Sequence, residues 1–401
     1  MIRGRNIVCL ASSFYDHPTS KHHVMRVLSR ENRVVWVNCH ASRRPTLSVR
    51  DLRLAGQRLS RVLGGARQVA ANITVISPLL LPWPASLTIR RVNGWRLRAA
   101  ISQALRRLPP APTQLWIFTP DLPEVIDHAV YERVVYYCVD DFAAFDGFDT
   151  PTIEALESRT LALSDVVLAT SQPLLERCAG RHANVHFAPH GVDFPHFAAA
   201  AAPDGPPVPA ELASLPRPTL GFLGLVGEHV DLELLAAAAA RRPDWSFVLV
   251  GTVRRDLGCV RDLRNVHVLG PRPYEALPGI CRGLDIGLIP FQMTRLVRAV
   301  NPIKLREYLA AGLPVVTTPM PEVSGYGPAV RTARTCDEFV AATEACLELS
   351  RREPANARQA LVASETWEAL VARLAKIVAA SPTDARRGAA CAPGGHVSRV
   401  E

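Results

Sequence analysis

Residues 301–318, NPIKLREYLAAGLPVVTT, pass from a helix into a strand with about one turn residue between them. Asn301 suits a helix N-cap, Pro302 suits the first helical position, and Gly312 suits the C-terminal stop. Residues 313–318 then have the apolar pattern of a buried strand. A helix that runs directly into such a strand is typical of a parallel α/β sheet, so this segment predicts the fold class.

The same helix carries two charged side chains, Lys304 and Glu307, near its start. One interpretation is a solvated ion pair. A second starts from the helix dipole, which disfavours a cation in the first turn unless an anion is bound there. Free N–H groups at a helix start bind phosphate. On this interpretation Lys304 neutralises a bound phosphate, and Glu307, one turn further on, holds sugar hydroxyls.

Strand-like runs alternate with helical runs on both sides of a change in composition. Residues 198–218 are rich in Ala and Pro and are predicted to form a linker. The alternation predicts an α/β fold with two doubly wound, Rossmann-like parallel-sheet domains facing a cleft. The expected boundaries are a first domain at 1–197, the linker, a second domain at 219–363, a closing helix at 364–380 and a disordered tail at 381–401.

Length and composition exclude several other classes of protein. The 401 residues suffice for two ordinary domains. No run of about 18 apolar residues occurs, so no transmembrane helix is predicted. The N-terminal sequence MIRGRNIVCLASS becomes polar too early for a signal peptide. Nine cysteines without a CxxC motif favour reduced thiols, and therefore a cytoplasmic protein.

Charge is distributed very unevenly along the chain. Residues 1–120 hold 19 Lys and Arg residues against three acids, whereas the remainder holds 27 against 34. Two Arg-rich stretches, 43–67 and 90–107, flank the apolar LLLPWP at 79–84. Such a surface suits an anionic membrane, and we expect peripheral binding at the inner face of the plasma membrane. The alternatives are nucleic acid, which lacks a recognition module here, and an Arg-rich face without a partner.

Two adjacent carboxylates follow one of the predicted buried strands. Ligands of open α/β sheets bind beyond the carboxyl ends of the strands, and Asp140 and Asp141 come directly after RVVYYCV. They are candidates for a general base. The alternative is a helix N-cap with a solvated neighbour. Asp146 and Asp149 follow and could add ligands for a cation, but their spacing supports a metal site only weakly.

Three further strand ends carry candidate residues. Gly224, in GFLGLVGEHVD, would let the backbone approach a diphosphate, although the segment is not a GxGxxG motif. Tyr274, in VLGPRPYE, is expected beside a nucleotide base, or else in an ordinary loop. His190, in APHGVD at the end of the first domain, either points into the cleft or packs at the hinge, where the chain passes from one domain to the other.

Two other segments have the same ambiguity. Arg295 and Arg298 precede the helix at 301–318 and either point at its phosphate site or lie free on the surface. In HPTSKHH, His22 or His23 either contacts an acceptor or has a structural role.

Taken in order, these motifs resemble the GT-B glycosyltransferases. The segments GFLGLVGEHVDLELL, PDWSFVLVG, NVHVLG, DIGLIPF and NPIKLREYLAAGLPVVTT look like a GT-B donor domain, and VVYYCVDDF, DVVLATS and APHGVD look like an acceptor domain. The nearest set is the bacterial exopolysaccharide and teichuronic-acid type within the broad family 4 grouping, over residues 5–380. The resemblance implies a nucleotide diphosphate on Lys304, ribose or sugar hydroxyls near Glu307, and no bound metal or other cofactor.

The sequence departs from this family at two places. Many family 4 enzymes carry two acids eight residues apart before the GLPVV strand; Glu307 is the second, but Ala299 occupies the first position. Many also carry Arg and Lys after the first donor-domain strand, where His229 is the one substitute in this chain. These differences favour an inverting reaction with Asp141 as base, as in somewhat similar glucuronosyltransferases.

The expected function is therefore transfer of a sugar from a nucleotide sugar, of the UDP type, to a lipid-linked or polysaccharide acceptor in cell-surface glycan synthesis. The expected donor-site residues are Lys304, Glu307, Asn301, Arg298, Gly224 and Tyr274. One alternative is a GT-B sugar-nucleotide epimerase. Another is an inactive subunit that binds a nucleotide sugar and scaffolds a polysaccharide complex. The sequence does not define the sugar, the acceptor, the pathway or the oligomeric state.

Overall fold

The computed structural model describes residues 2–39 and 65–381, which form two open sheets. Strands β1–β8 belong to the first sheet and β9–β14 to the second. In chain order the strands are β1 Asn6–Ala11, β2 Arg33–Asn38, β3 Arg67–Ala70, β4 Ile73–Ile76, β5 Thr113–Ile117, β6 Arg133–Cys138, β7 Val166–Ala169, β8 Val185–Phe187, β9 Thr219–Leu223, β10 Ser246–Val250, β11 Val266–Gly270, β12 Ile286–Ile289, β13 Val315–Thr317 and β14 Val330–Thr332.

Helices of the described residues connect these strands and cover the sheets. In chain order they are α1 Ser20–Leu28, α2 Leu87–Leu105, α3 Thr150–Leu163, α4 Gln172–Ala179, α5 Phe194–Ala198, α6 Ala210–Ala213, α7 Leu232–Arg241, α8 Gly258–Arg261, α9 Leu277–Arg282, α10 Arg295–Arg298, α11 Ile303–Ala310, α12 Cys336–Arg352, α13 Ala355–Ala360 and α14 Trp367–Ala380.

The first sheet has the order β3-β4-β2-β1-β5-β6-β7-β8 and is parallel except for the pair β3–β4. Side chains alternate between its two faces. Ile7 and Cys9 of β1 belong to one core cluster, and Val8 and Leu10 belong to the other. Helices cover both faces because both faces are apolar.

The second sheet, β11-β10-β9-β12-β13-β14, is parallel throughout. Its core is one large apolar cluster to which Leu305, Tyr308 and Leu309 of α11 contribute with no exposed surface. The predicted α/β fold with two Rossmann-like parallel-sheet domains is confirmed.

The chain passes between the domains twice, and the two crossing segments lie side by side. Val192 and Thr366 pair in a short parallel bridge, and the backbone N–H of Val192 donates to the carbonyl of Glu365 at 2.9 Å. Gly191 permits this approach, because a Cβ atom there would lie 2.7 Å from the backbone nitrogen of Trp367. Helix α14 then returns to the first domain, where six of its side chains complete a core cluster.

The region at 198–218 links the sheets as an ordered segment. It contains α6, and its Leu212 is buried in the second core. The predicted disordered tail at 381–401 lies outside the described residues apart from Ser381. Most of the Arg-rich stretch at 43–67 also lies outside the residues that the structure describes.

The segment 301–318 folds as the expected joint of helix and strand, with one correction. Helix α11 begins at Ile303, Pro302 is its N-cap, and no side chain caps it. Asn301 is therefore not the N-cap; its side chain is held by Glu322 and Arg306 instead. Gly312 follows the helix with a φ of 81°, and strand β13 begins three residues later.

Candidate active site

Lys304 and Glu307 lie at the predicted site, where α11 meets the loop after β9. The Nζ atom of Lys304 is 3.4 Å from Oε2 of Glu307, and their side chains are 23% and 8% exposed. They thus form a partly buried ion pair. Gly224 has a φ of +151°, which side chains rarely adopt, and a Cβ atom there would lie 3.0 Å from Cε of Lys304, so glycine suits this close approach. The structure brings these three predicted donor residues together.

Two other predicted donor residues do not join them. The amide of Asn301 donates to Glu322 at 3.1 Å and accepts from Arg306 at 2.8 Å, so both of its polar atoms have structural partners. Arg298 is exposed and lines a cavity of about 400 Å³ together with Arg177 and Arg295. That cavity is not lined by Lys304, Glu307 or Gly224.

Asp141 lies in an ion-pair cluster between the domains. One carboxylate oxygen is 2.6 Å from Nη1 of Arg177, and the other is 2.8 Å from Nε of Arg295. Arg177 also pairs with Glu157 at 3.0 Å. Because two guanidinium groups hold both oxygens, this geometry disagrees with the expectation that Asp141 is a free general base. Arg295 likewise does not point at the phosphate site.

The neighbouring Asp140 has a different environment. It is half-buried at the carboxyl end of β6, and burial raises the pKa of its carboxyl group to about 7. The charge of Lys21, in the first turn of α1, opposes this shift and Asp141 adds to it. A carboxyl group that ionises near neutral pH is suited to general-base chemistry.

His22 and His23 are adjacent but have different roles. Nδ1 of His22 accepts the backbone N–H of Thr19 at 3.1 Å, and Nε2 lies 3.1 Å from the carbonyl of Phe14. His22 therefore fixes the start of α1, which is the structural role among its two expected roles. His23 stacks on Trp367 with ring centroids 4.9 Å apart and planes at 1°. Burial lowers the pKa of both imidazoles, to about 4 and about 3 respectively.

Tyr274 lies at the meeting point of the two domains. Its ring is stacked on His196 at 4.6 Å and lies 5.6 Å from His23 and 5.9 Å from His17. Its buried hydroxyl has no hydrogen-bond partner among the described residues. Burial raises the pKa of this phenol, and the charge of Glu307 raises it further. Tyr274, a residue of the second core, thus contacts histidines of the first domain and His196, which follows the first crossing.

His190 packs at the hinge, which was one of its two expected positions. Its side chain is buried, its ring lies 6.1 Å from Trp367, and its Nδ1 atom has no hydrogen-bond partner among the described residues. Burial lowers the pKa of the imidazole to about 3, with the charge of Arg306 acting in the same direction.

Sequence reasoning did not single out Lys21, His196 or Trp367. A signal for Lys21 was present: the chain holds only three lysines among its 46 basic residues, and both Lys21 and Lys304 fall in the first turn of a helix. The pairing of His196 with Tyr274 and of Trp367 with His23 depends on tertiary packing across the hinge.

Two further features concern metals and membranes. Within residues 2–39 and 65–381, no group of three or more His, Cys, Asp or Glu side chains is arranged to hold a metal ion. In the same part of the chain, no helix is both long enough and apolar enough to cross a bilayer.

Two facing parallel sheets, with a candidate phosphate site on the second, define a GT-B fold. Comparison with solved structures agrees with this fold. The structure of trehalose-6-phosphate from E. coli bound with UDP-2-fluoro glucose superposes with a TM-score of 0.65 at 14% identity, covering 93% of this chain and 98% of that one. The structure of HepE from Anabaena in complex with UDP and glucose gives 0.64 at 14% identity, covering 93% and 99%.

Sequence comparisons are consistent with this fold. Residues 217–349, which contain the second sheet, match the family model described as glycosyl transferases group 1. The chain is 31% identical over 250 residues to the putative teichuronic acid biosynthesis glycosyltransferase TuaH of Bacillus subtilis strain 168. That match covers 57% of this chain and 62% of the relative. The resemblance drawn from the motifs is confirmed.

Proposed function

We propose that this protein is a glycosyltransferase that moves a sugar from a UDP-sugar to an acceptor hydroxyl in glycan synthesis. The observation that carries the proposal is the position of Lys304. This lysine lies in the first turn of α11 and packs against Gly224, and both residues fall within the segment that matches the glycosyl transferases group 1 model. A cation and free N–H groups at a helix start together favour a diphosphate. The names of the relatives, with bound UDP and UDP-sugar in several structures, support a UDP donor.

The reaction that these residues fit is a displacement at the anomeric carbon. The bond between that carbon and the diphosphate oxygen breaks, and the leaving UDP carries the electron pair toward Lys304. The acceptor oxygen forms the new bond, and its proton passes to the carboxylate of Asp140. We assign the base to Asp140 because its pKa of about 7 suits proton transfer at neutral pH, whereas Asp141 is held by two arginines.

The acceptor is proposed to be lipid-linked, presented at the inner surface of a membrane. The support is an apolar and basic surface on the first domain, the α2 face, formed by residues 79–98. Leu87, Arg91, Trp95 and Arg98 follow the spacing of one helix face and all are exposed, with Trp95 65% exposed. Leu79 and Trp83 lie exposed just before the helix. Exposed tryptophan among arginines is typical of proteins that bind anionic bilayers.

The test begins with a thermal-shift screen of the purified protein against UDP, GDP, dTDP and ADP, alone and as nucleotide sugars. A ligand that binds the native state raises the melting temperature. We expect a shift with the uridine series, and calorimetry should give about 10- to 100-fold weaker binding for Lys304→Ala, because a charge-assisted hydrogen bond contributes about 1.5–3 kcal/mol. Lys376→Ala, an exposed lysine on α14, is the matched control.

Turnover separates the alternatives. Release of UDP that depends on an added glycan or lipid-linked acceptor supports the transferase. An altered sugar still attached to the nucleotide would indicate an epimerase, and binding without turnover would indicate a scaffold subunit. Unchanged UDP binding in Lys304→Ala would refute the phosphate assignment.

A further inference from the structure

A second cavity, of about 740 Å³, lies beside the two segments that cross between the domains. Its volume is within the range of small-molecule sites. Both domains, the crossing segments and α14 contribute to its walls. The side chains that matter below are His190, Arg306, Glu322, Tyr326, Glu365 and Arg373.

Helix α11 separates this cavity from the proposed donor site. Lys304 and Glu307 are three residues apart and share one side of the helix, whereas Arg306 projects to another side and lines the cavity. The hinge makes a similar division: Thr366 lines the cavity, while the next residue, Trp367, stacks on His23 of the first domain. The two sites therefore lie back to back.

Two arginines and two glutamates line the cavity, and one of the arginines has no ion-pair partner among the described residues. Arg306 is neutralised by Glu365, with Nε and Oε2 2.6 Å apart. Glu322 accepts the backbone N–H of Gln172 at 2.6 Å and the amide of Asn301. Arg373 is exposed at the rim, and within the described ranges it makes no ion pair. A ligand with one negative charge would satisfy it.

The remaining walls offer hydrogen bonds and an apolar surface. The buried Nδ1 atom of His190 has no partner among the described residues, which costs free energy unless a ligand supplies one. Ser324 and Tyr326 add hydroxyl groups. Phe187, at 37% exposure, adds an aromatic ring on which the C–H face of a sugar can pack.

We infer that this hinge cavity is a second binding site, for a hexose derivative that carries one anionic group. Arg373 would bind the phosphate or carboxylate, His190 would bond a hydroxyl, and Phe187 would contact the C–H face of the ring. A ligand here would touch both crossing segments and the loop of Glu322, so its occupancy would favour one arrangement of the two domains. The inference does not depend on the donor site.

Calorimetry of the full chain saturated with UDP tests this inference. Four ligands are titrated separately. A hexose 1-phosphate and a hexuronate are the candidates, and the neutral hexose and inorganic phosphate are the controls. We expect at least one anionic hexose to bind more tightly than the neutral hexose and phosphate, and the stronger arm identifies the anionic group. Arg373→Ala should weaken this binding at least tenfold, and Lys376→Ala, on the same helix, should not.

The inference is overturned if neither anionic hexose binds, if Arg373→Ala binds as well as the parent, or if UDP competes with the sugar. If UDP itself does not bind, the proposed donor site fails, and the same titration without UDP still decides on the hinge cavity. Arg373 is exposed, so its replacement leaves the fold intact.

Discussion

The carboxylate of Asp141 lies 2.8 Å from Nε of Arg295, and this ion pair joins the first domain to the second. On its other side Asp141 is bound by Arg177 of its own domain. The carboxylate is thus the central anion of an interdomain contact. Nearby, Oγ of Ser171 donates to the carbonyl of Ala299 at 2.7 Å, which joins the same two surfaces.

Replacing the two partners of this contact should have unequal effects on stability. The side chain of Asp141 is 6% exposed and binds two guanidinium groups, so Asp141→Ala removes two ion pairs at a buried position and should lower the free energy of unfolding by about 2–3 kcal/mol. Arg295 is 54% exposed, so Arg295→Ala should cost less than about 1 kcal/mol. Urea denaturation of both variants measures the difference. Equal losses would contradict this account of the contact.

The two adjacent aspartates should also differ in catalysis. Asp140→Asn removes the proposed base and should lower kcat by about 100-fold or more, since general-base catalysis contributes about 10²–10⁴-fold. Asp141→Asn should retain most of the transfer rate at a temperature well below its melting point. Steady-state UDP release measures both rates. A larger loss in Asp141→Asn than in Asp140→Asn would return the base to Asp141.

The raised pKa of Asp140 predicts a pH dependence of stability. Between the ordinary value near 4 and the folded value of about 7, the folded state binds more protons than the unfolded state. The free energy of unfolding should therefore fall as the pH rises through this range, with a contribution approaching about 1.4 kcal/mol per pH unit. Asp140→Asn should lack this contribution. Chemical denaturation of parent and variant at pH 4.5, 5.5 and 6.5 provides the comparison, and parallel curves would argue against the shift.

The α2 face should bind anionic vesicles. Trp95→Ala removes the most exposed aromatic side chain of that face and should weaken sedimentation with vesicles of anionic lipid by about tenfold at low salt. Leu361→Ala, at the exposed apolar residue that caps the C-terminus of α13, is the control and should bind like the parent. Added salt should weaken the parent's binding. If the parent fails to sediment even at low ionic strength, the membrane assignment is wrong.

Transfer should not require a divalent metal. The proposed diphosphate site obtains its positive charge from Lys304 and from the start of α11. UDP release should therefore proceed at the same rate after chelation with EDTA. Activity that disappears with EDTA and returns with Mg²⁺ or Mn²⁺ would show that the charge at Lys304 is insufficient.

Much of the fold could be predicted because strands and helices of a parallel α/β protein have distinct apolar periods. The edge strand β3 was not predicted, since Arg67–Ala70 is short, wholly exposed and antiparallel to its neighbour. The segment WRLRAAISQALRRL predicts a helix that begins at Trp95, whereas α2 begins eight residues earlier, at Leu87, because Ser86 caps it. Both differences arise where local apolar pattern is weak.

The site was harder to predict than the fold because neighbouring residues face different ways. Which of Asp140 and Asp141 is held by arginine depends on Arg295, which is 154 residues away from Asp141 in sequence. The surroundings of His22 and His23 likewise depend on Trp36 and Trp367, which pack on the two rings. The local sequence predicts that these residues lie at a strand end or in a helix. The role of each side chain then depends on the residues, distant in sequence, that pack against it.

The return of α14 to the first domain also bears on how the chain folds during synthesis. The second domain, between the crossings at Val192 and Thr366, is complete before the ribosome has made α14. The first domain lacks Trp367, Leu370 and Leu374 of its core until nearly the whole described chain has emerged. We therefore expect the domain encoded later to become stable first, with the earlier one exposing an apolar face that chaperones can bind until the last helix arrives.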